Sequence, residues 1–233
     1  MLRSRASGLR KVFVLALMTA MLLLVTANQA QAQTLRLGPK AGLNLAWFGG
    51  SDWNDGIKAI NNDPDLSATN DVKAGFFGGG FLEIGLSPTF AVQIELLIGT
   101  VSGGATIKAR GSSETAEGSD RATVLGFPLL LKPKLPVTDS GSIYGLIGPE
   151  PGFILGDIRT KVRVTGFGTD TLDTPPDNRF VFSATIGAGY EYRFNSGALN
   201  AEIRYNRTFT DIVDDVNTRI NSINFCVGYG FDL

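Results

Sequence analysis

Apolar and polar side chains alternate with a period of two along most of the chain after residue 33. In the first such segment Leu35, Leu37 and Leu43 fall on one face, and Lys40 and Asn44 fall on the other. A period of two is typical of a β-strand whose two faces meet different surroundings. Each segment is long enough to cross a bilayer at a tilt. The eight segments are 34–47, 72–86, 90–100, 121–135, 143–156, 179–193, 199–209 and 219–231.

The fifth segment is the least regular of the eight. Pro149 and Pro151 lie within it, and proline has no N–H to donate to a strand ladder. We therefore expect the strand to break or bulge there, and the pattern leaves its two faces unassigned.

The connections between the segments alternate in length. Long gaps cover residues 49–71, 102–120, 157–177 and 210–218, and short gaps cover residues 87–89, 137–142 and 194–197. Tight turns at one end and long loops at the other are typical of an up-and-down barrel in an outer membrane. The pattern predicts an all-β protein, an eight-stranded antiparallel transmembrane β-barrel, with both ends of the chain on the side of the short turns.

The second face of the strands carries charges among its glycines. A lysine or arginine that faces lipid at mid-membrane costs about 2–4 kcal/mol, so these residues must face the lumen, which in an eight-stranded barrel is just wide enough for side chains to fill. We predict that the four glutamates pair with the three basic residues, either as a plug or as a gate for ions. A soluble lipocalin-like barrel with its apolar face inward is the alternative. The predicted lumen charges are Lys40, Glu83, Glu95, Lys132, Glu191, Glu202 and Arg204.

Aromatic residues cluster near the predicted strand ends. Trp47 ends the first segment on the side of the long loops. Tyr190, Tyr192, Tyr229 and Phe231 end the sixth and eighth segments on the side of the short turns. Aromatic residues prefer the membrane–water interface, so we predict that these five lie there.

Residues 1–32 have the pattern of a secretory signal. Four basic residues precede an apolar run of about fourteen residues at 12–25, and Ala30-Gln31-Ala32 matches a cleavage site. A spanning helix needs about 20 apolar residues, although a short uncleaved anchor is the alternative. The predicted mature chain, 33–233, is one barrel domain with 17 basic and 22 acidic residues, a net charge of −5 against −1 for the whole chain. No basic stripe indicates nucleic-acid binding.

The chain contains one cysteine, Cys226, and no histidine. Ser-His-Asp and Asp-His hydrolytic arrangements are therefore excluded, and the commonest ligand for zinc is missing. We expect no enzymatic activity, no cofactor and no metal site. Acidic residues crowd the first and last long loops and could hold calcium or bridge lipopolysaccharide, but Asp52-Trp53-Asn54-Asp55-Gly56 lacks EF-hand spacing. The acidic residues are Asp52, Asp55, Asp63, Asp65, Asp71, Asp211, Asp214 and Asp215.

Several short stretches together resemble the small outer-membrane β-barrel domain family, whose members are often described as porin-family or PorT-like proteins. They are Gly38-Pro39-Lys40-Ala41-Gly42-Leu43-Asn44, Val92-Gln93-Ile94-Glu95-Leu96-Leu97, Leu125-Gly126-Phe127-Pro128-Leu129-Leu130-Leu131-Lys132, Gly187-Ala188-Gly189-Tyr190-Glu191, Ala201-Glu202-Ile203-Arg204-Tyr205 and Gly228-Tyr229-Gly230-Phe231-Asp232-Leu233. The resemblance covers nearly all of the mature chain. It implies the barrel fold and an outer-membrane location, and it implies no particular activity.

The last of these stretches is similar to the signal that the barrel-assembly machinery reads, although it ends in Leu233 instead of phenylalanine. We therefore expect the strand at 219–233 to engage that machinery, and we expect outer-membrane lipid and lipopolysaccharide as the other partners. No specific protein partner is indicated. The expected function is a structural role in the envelope or binding through the loops, with a narrow channel for small solutes or ions as the alternative.

Overall fold

The structure, a computed structural model, describes residues 34–210 and 218–233; the predicted signal at 1–32 lies outside them. Within these residues the chain forms one helix and eleven strands. In chain order they are β1 (Leu35–Gly49), α1 (Ser51–Asn61), β2 (Leu66–Asp71), β3 (Lys73–Ser87), β4 (Phe90–Ala109), β5 (Thr115–Gly126), β6 (Leu129–Pro136), β7 (Gly141–Val164), β8 (Gly168–Thr174), β9 (Phe180–Phe194), β10 (Gly197–Thr208) and β11 (Arg219–Asp232).

The strands close into an antiparallel up-and-down barrel. Each strand of the wall pairs with the next one along the chain, and β11 returns to pair with β1, with Leu37 opposite Phe231 and Trp47 opposite Asn221. The predicted all-β antiparallel barrel is confirmed. The predicted number of eight strands is wrong as a count, because eleven strands are present. The barrel wall itself has eight staves, namely β1, β3, β4, β5 with β6, β7, β9, β10 and β11.

The fourth stave is interrupted, and the interruption is not where the sequence predicts it. β7 runs without a break through Pro149 and Pro151, which pair with Ala184 and Phe182 of β9. The break lies in the neighbouring stave, between β5 and β6. The carbonyl of Pro151 accepts the N–H of Phe127 at 2.8 Å, so the edge of β7 that carries both prolines faces this break. Pro128 lies in the break itself and, like the two prolines on the facing edge of β7, has no N–H to donate, so the ladder is interrupted there.

Two of the long connections extend the sheet beyond the barrel. β2 pairs with residues 104–109 of β4, and β8 pairs with residues 158–164 of β7. The eleven-residue helix α1 is tied to β2, since the Asn61 amide exchanges two hydrogen bonds of 2.8–2.9 Å with the backbone of Ala68. We call the end of the barrel that carries α1, β2 and β8 the loop end, and the opposite end, where Thr34 and Leu233 lie, the turn end. No helix among the described residues is long and apolar enough to cross a membrane.

The barrel is apolar outside and polar inside. Phe76 and Leu43 are 67% and 61% exposed on the outer wall, whereas Lys132 and Glu83 are almost completely buried inside. A soluble lipocalin-like barrel would have the reverse arrangement, so that alternative is wrong. An exposed apolar belt around a polar interior is the arrangement that a membrane-spanning barrel requires.

Candidate functional site

The candidate site is the lumen of the barrel. The structure places all seven predicted lumen charges on its inner wall, and each is buried. Lys40 lies on β1, Glu83 on β3, Glu95 on β4, Lys132 on β6, Glu191 on β9, and Glu202 and Arg204 on β10. Period-two strands alternate their side chains between the two faces, which is why residues of one parity on each stave meet inside.

The charges form two layers. The turn-end layer consists of Arg36, Glu83, Lys132, Lys134 and Glu191. Lys132 Nζ lies 2.6 Å from Glu83 and 3.3 Å from Glu191, Lys134 Nζ lies 2.8 Å from Glu191, and Arg36 Nη1 lies 2.9 Å from Glu191. At the mouth of the turn end, Arg36 Nε also donates to Asp232 at 2.6 Å. Each basic group therefore contacts at least two carboxylates.

The mid-lumen layer consists of Lys40, Glu95, Glu202 and Arg204. Arg204 donates to both oxygens of Glu95 at 2.7 Å and also contacts Glu202. Lys40 Nζ lies 2.7 Å from Glu95 and 3.0 Å from Glu202, and the Tyr144 hydroxyl donates to Glu202 at 2.9 Å. A bidentate arginine–carboxylate pair is among the strongest polar contacts in proteins, so this layer is firmly held.

Neutral side chains connect the two layers. The Gln93 amide donates to Glu95 and accepts from Lys132 Nζ at 3.3 Å. Lys132 Nζ also lies 4.0 Å from the centre of the Tyr144 ring, within cation–π range. Buried charge is very costly unless it is paired and hydrogen-bonded, and this continuous network meets that requirement across the lower half of the lumen.

Glycines on β11 make room for the network. A Cβ atom at Gly228 would lie 3.2 Å from the ring of Phe81 and 3.3 Å from Cε of Lys40, and one at Gly230 would lie 3.1 Å from the same ring. The lumen therefore accommodates large side chains from β1 and β3 because the facing residues of β11 have none.

Sequence reasoning missed several members of the network. Arg36, Lys134 and Gln93 alternate in step with the predicted lumen residues of their strands. This alternation was the signal that could have identified them. Tyr144 lies on the stave whose faces the prolines left unassigned.

Above the mid-lumen layer, towards the loop end, the lumen opens into a cavity of about 490 Å³, which we call the cup. Its floor includes Arg204, Glu150 and Asn206. Phe48 and Trp53 pack against each other near its mouth, with ring centres 4.8 Å apart. Much of the remaining wall is apolar, including Phe77, Leu97, Val101, Val124, Ile154 and Val181.

The polar floor of the cup is internally hydrogen-bonded. Glu150 accepts from the Thr185 hydroxyl at 2.6 Å and from the Asn206 amide. The Asn224 amide donates to Asn206 at 2.9 Å, and the Asn44 amide donates to the Thr100 carbonyl at 2.8 Å. These side chains come from five different staves, so the floor forms only when the barrel wall is closed.

The outer membrane protein beta-barrel domain family matches residues 17–231 of the chain. The chain belongs to this family. The predicted resemblance and the predicted outer-membrane location are therefore confirmed. No curated protein matches the chain.

Solved structures similar to this outer membrane barrel have low identity to it. OprG from Pseudomonas aeruginosa is 15% identical, over 86% of this chain and 95% of that one, with a TM-score of 0.43. Ail, the attachment invasion locus protein of Yersinia pestis, is 14% identical, over 84% and 99%, with a TM-score of 0.36. The outer membrane protease OmpT from Escherichia coli is 8% identical, over 89% and 100%, with a TM-score of 0.35.

The expectation that the protein is not an enzyme needs correction. A protease is among the solved barrels similar to this one, so the enzyme status of the chain is not established. The inference from the missing histidine was too broad for a physical reason. It excludes mechanisms that need an imidazole, but carboxylates also serve as general acids and bases.

The predicted interface aromatics of this outer membrane barrel lie at its two ends. At the turn end, Tyr192, Phe194, Tyr229 and Phe231 form a chain of ring contacts with centres 4.8–6.2 Å apart. Tyr190 is on the same outer face and exposed. At the loop end, Trp47 lies 6.4 Å from the ring of Tyr205.

In the described part of the chain, the acidic loop residues do not form a group of three or more that could hold a metal ion. Asp55 pairs with Lys58 of α1, and Asp71 pairs with Lys73, each at 3.1 Å. Asp211, Asp214 and Asp215 lie outside the described residues. Cys226 is buried on the lumen side of β11.

A further ion pair marks the hairpin of β7 and β8. Arg159 donates to the two carboxylate oxygens of Asp173 at 2.9 and 3.4 Å. This hydrogen bonding holds the pKa of Asp173 below its ordinary value. The pair is exposed, so solvent screens it.

Proposed function

We propose that this outer membrane protein has a lumen closed by its two charged layers, and that it acts by binding on the extracellular side through its loops and the cup. The observation that supports this most is the set of buried ion pairs across the lumen. If the lumen is closed, the loop end is the surface that is available for binding.

The charge balance of the layers supports closure. In the turn-end layer Arg36, Lys132 and Lys134 face Glu83, Glu191 and, at the mouth, Asp232. In the mid-lumen layer two basic residues face two carboxylates. An ion that entered would have to displace an existing partner from each layer, and a buried charge left without its partner costs about 3–5 kcal/mol.

The loop end has the features of a binding surface. The hairpin of β7 and β8 exposes Phe167 and Leu172, which are 91% and 65% accessible. Exposed apolar side chains that share one surface can mark an interaction site, and these two lie on one hairpin. The paired strands stiffen this hairpin, so it presents these side chains at a defined place.

We further propose that the exposed apolar belt contacts lipid and lipopolysaccharide, and that β11 engages the barrel-assembly machinery. The aromatic end of β11, with Tyr229 and Phe231 on its outer face, supports the second proposal.

The experiment that tests closure is single-channel conductance of the protein, purified from outer membranes, in a planar lipid bilayer. We expect insertion without current steps, with insertion checked by protection of the barrel from protease. Stable and reproducible steps would overturn the proposal and favour a narrow channel for small solutes or ions.

A further inference from the structure

We infer that the cup binds a small organic cation, namely a protonated amine carried on an apolar body. This inference rests on the proposed function, because the mid-lumen layer provides the floor on which the ligand would sit. It specifies the chemistry that the cup would select.

The first argument is the charge of the floor. Lys40 and Arg204 are matched by Glu95 and Glu202. Glu150 adds a third carboxylate, and among residues 34–210 and 218–233 no basic group lies within ion-pair distance of it. Its hydrogen-bond partners, Thr185 and Asn206, are neutral. The floor therefore holds a carboxyl group that no basic side chain pairs with, and a cationic head would supply that partner.

The second argument is the set of unpartnered acceptors. Asn44 and Asn224 line the cup, and their amide nitrogens already donate within the barrel. In the part of the chain that the structure describes, Oδ1 of each has no partner, and Asn44 is only 4% exposed. A buried acceptor without a donor costs about 1–3 kcal/mol, so a ligand that brings donors is favoured.

Two donors on the lining also lack partners in the described residues, and they do not reverse this preference. Arg204 Nε is one, but the terminal nitrogens of Arg204 are held by Glu95 and Glu202, so its charge is already matched. Trp53 Nε1 is the other, and it belongs to α1 near the mouth. The lining thus offers a carboxyl group and two amide oxygens as acceptors, and an ammonium head brings donors together with a positive charge.

The third argument is the apolar wall. A volume of about 490 Å³ falls in the range typical of small-molecule sites. The Phe48–Trp53 pair offers aromatic faces near the entrance, which attract cations. Asp120 and Asp177 line the cup above the floor, and charges of one sign in a cleft raise the local concentration of oppositely charged ligands.

The test compares three probes with one body and different heads, which are 3-phenylpropylammonium, 3-phenylpropanol and 3-phenylpropanoate. Heats of binding are measured by calorimetry at neutral pH on the full protein in lipid nanodiscs, with empty nanodiscs as the blank. We expect saturable binding of the ammonium, at least about tenfold tighter than the alcohol because it adds a charge-assisted hydrogen bond. We expect no saturable binding of the carboxylate.

Glu150→Gln locates the site, because glutamine keeps the shape but cannot form the carboxylate that would pair with an ammonium. The affinity for the ammonium should fall about tenfold, and the affinity for the alcohol should be nearly unchanged. Glu114→Gln is the matched control, since Glu114 is exposed and outside the cup, and it should alter neither. Equal affinity for all three probes, or an ammonium affinity insensitive to Glu150→Gln, would overturn the inference.

The probe comparison on the unaltered protein decides the charge preference even if the Glu150 variant fails to fold. Different results would refute the proposal of a closed lumen and the inference about the cup. Current steps in a bilayer would refute the closed lumen, whatever the probes do. A closed barrel that shows no preference for the ammonium would refute only the inference about the cup.

Discussion

At the scale of the residue, Glu202 illustrates how many contacts a single lumen carboxylate makes. Its two oxygens contact Lys40, Arg204 and the hydroxyl of Tyr144. Replacement by alanine would leave two basic groups with one carboxylate fewer. We expect Glu202→Ala to lower the free energy of unfolding by about 3 kcal/mol, the usual cost of breaking a buried ion pair. Urea unfolding of the protein in lipid vesicles measures this.

Glu114→Ala is the control for that variant, because Glu114 is exposed near the loop end. Exposed substitutions away from special features change stability by about 0.5 kcal/mol or less. If both variants unfold at the same urea concentration as the unaltered protein, the buried pairs do not stabilise the barrel, and the plug interpretation is wrong.

The sequence predicts which residues face the lumen but not which residues meet there. Side chains alternate between the two faces of a strand, so the position of a residue along its strand decides whether it faces the lumen. Lys40, Glu83 and Arg204 could therefore be placed inside without coordinates. Their partners depend on strand tilt and stagger, which set the height of each side chain. Lys40 meets Glu95 on a stave that is not its neighbour, and no local pattern carries that information.

At the scale of the element, two consecutive glycines of β3, Gly78 and Gly79, differ in how closely another strand approaches them. A Cβ atom at Gly79 would lie 1.9 Å from the backbone oxygen of Leu96, whereas one at Gly78 would have its nearest neighbour 3.8 Å away, at the carbonyl of Lys40. We expect Gly79→Ala to destabilise the barrel by about 1–3 kcal/mol through overpacking against β4. Gly78→Ala, the matched control, should be tolerated. Urea midpoints of the two variants compare them, and equal midpoints would contradict the close approach of β3 to β4.

The sequence also predicts the eight staves better than the elements between them. Alternation over 9–11 residues or more is a strong signal, so each stave has a predicted counterpart. β2 and β8 were not predicted, because they pair only with the extended ends of β4 and β7. The break between β5 and β6 was also missed, although Pro128 lies in it and Pro149 and Pro151 lie on the strand beside it.

At the scale of the whole molecule, the two charged layers lie in series along the lumen. Each is complete by itself, with its own basic groups and carboxylates. Gln93 connects the two layers, but it is neutral and contributes to the charge balance of neither. A series arrangement means that opening one layer still leaves the other as a barrier to ions.

This arrangement leads to a prediction about conductance. Glu95→Ala combined with Arg204→Ala removes a matched pair from the mid-lumen layer. Removal of both partners avoids an unpaired buried charge, and we expect the barrel to stay closed because the turn-end layer is intact. Adding Glu83→Ala and Lys132→Ala weakens the second layer as well, and current steps should then appear in planar bilayers.

Circular dichroism of all variants, with a β-sheet spectrum as the requirement, separates opening from unfolding. Current through the variant that lacks only Glu95 and Arg204 would show that the turn-end layer is no barrier. A silent but folded fourfold variant would show that the remaining side chains, such as Phe81 and Tyr144, close the lumen without the ion pairs. Current only in the fourfold variant would mean that the turn-end layer keeps this barrel shut by itself after the mid-lumen layer has been weakened.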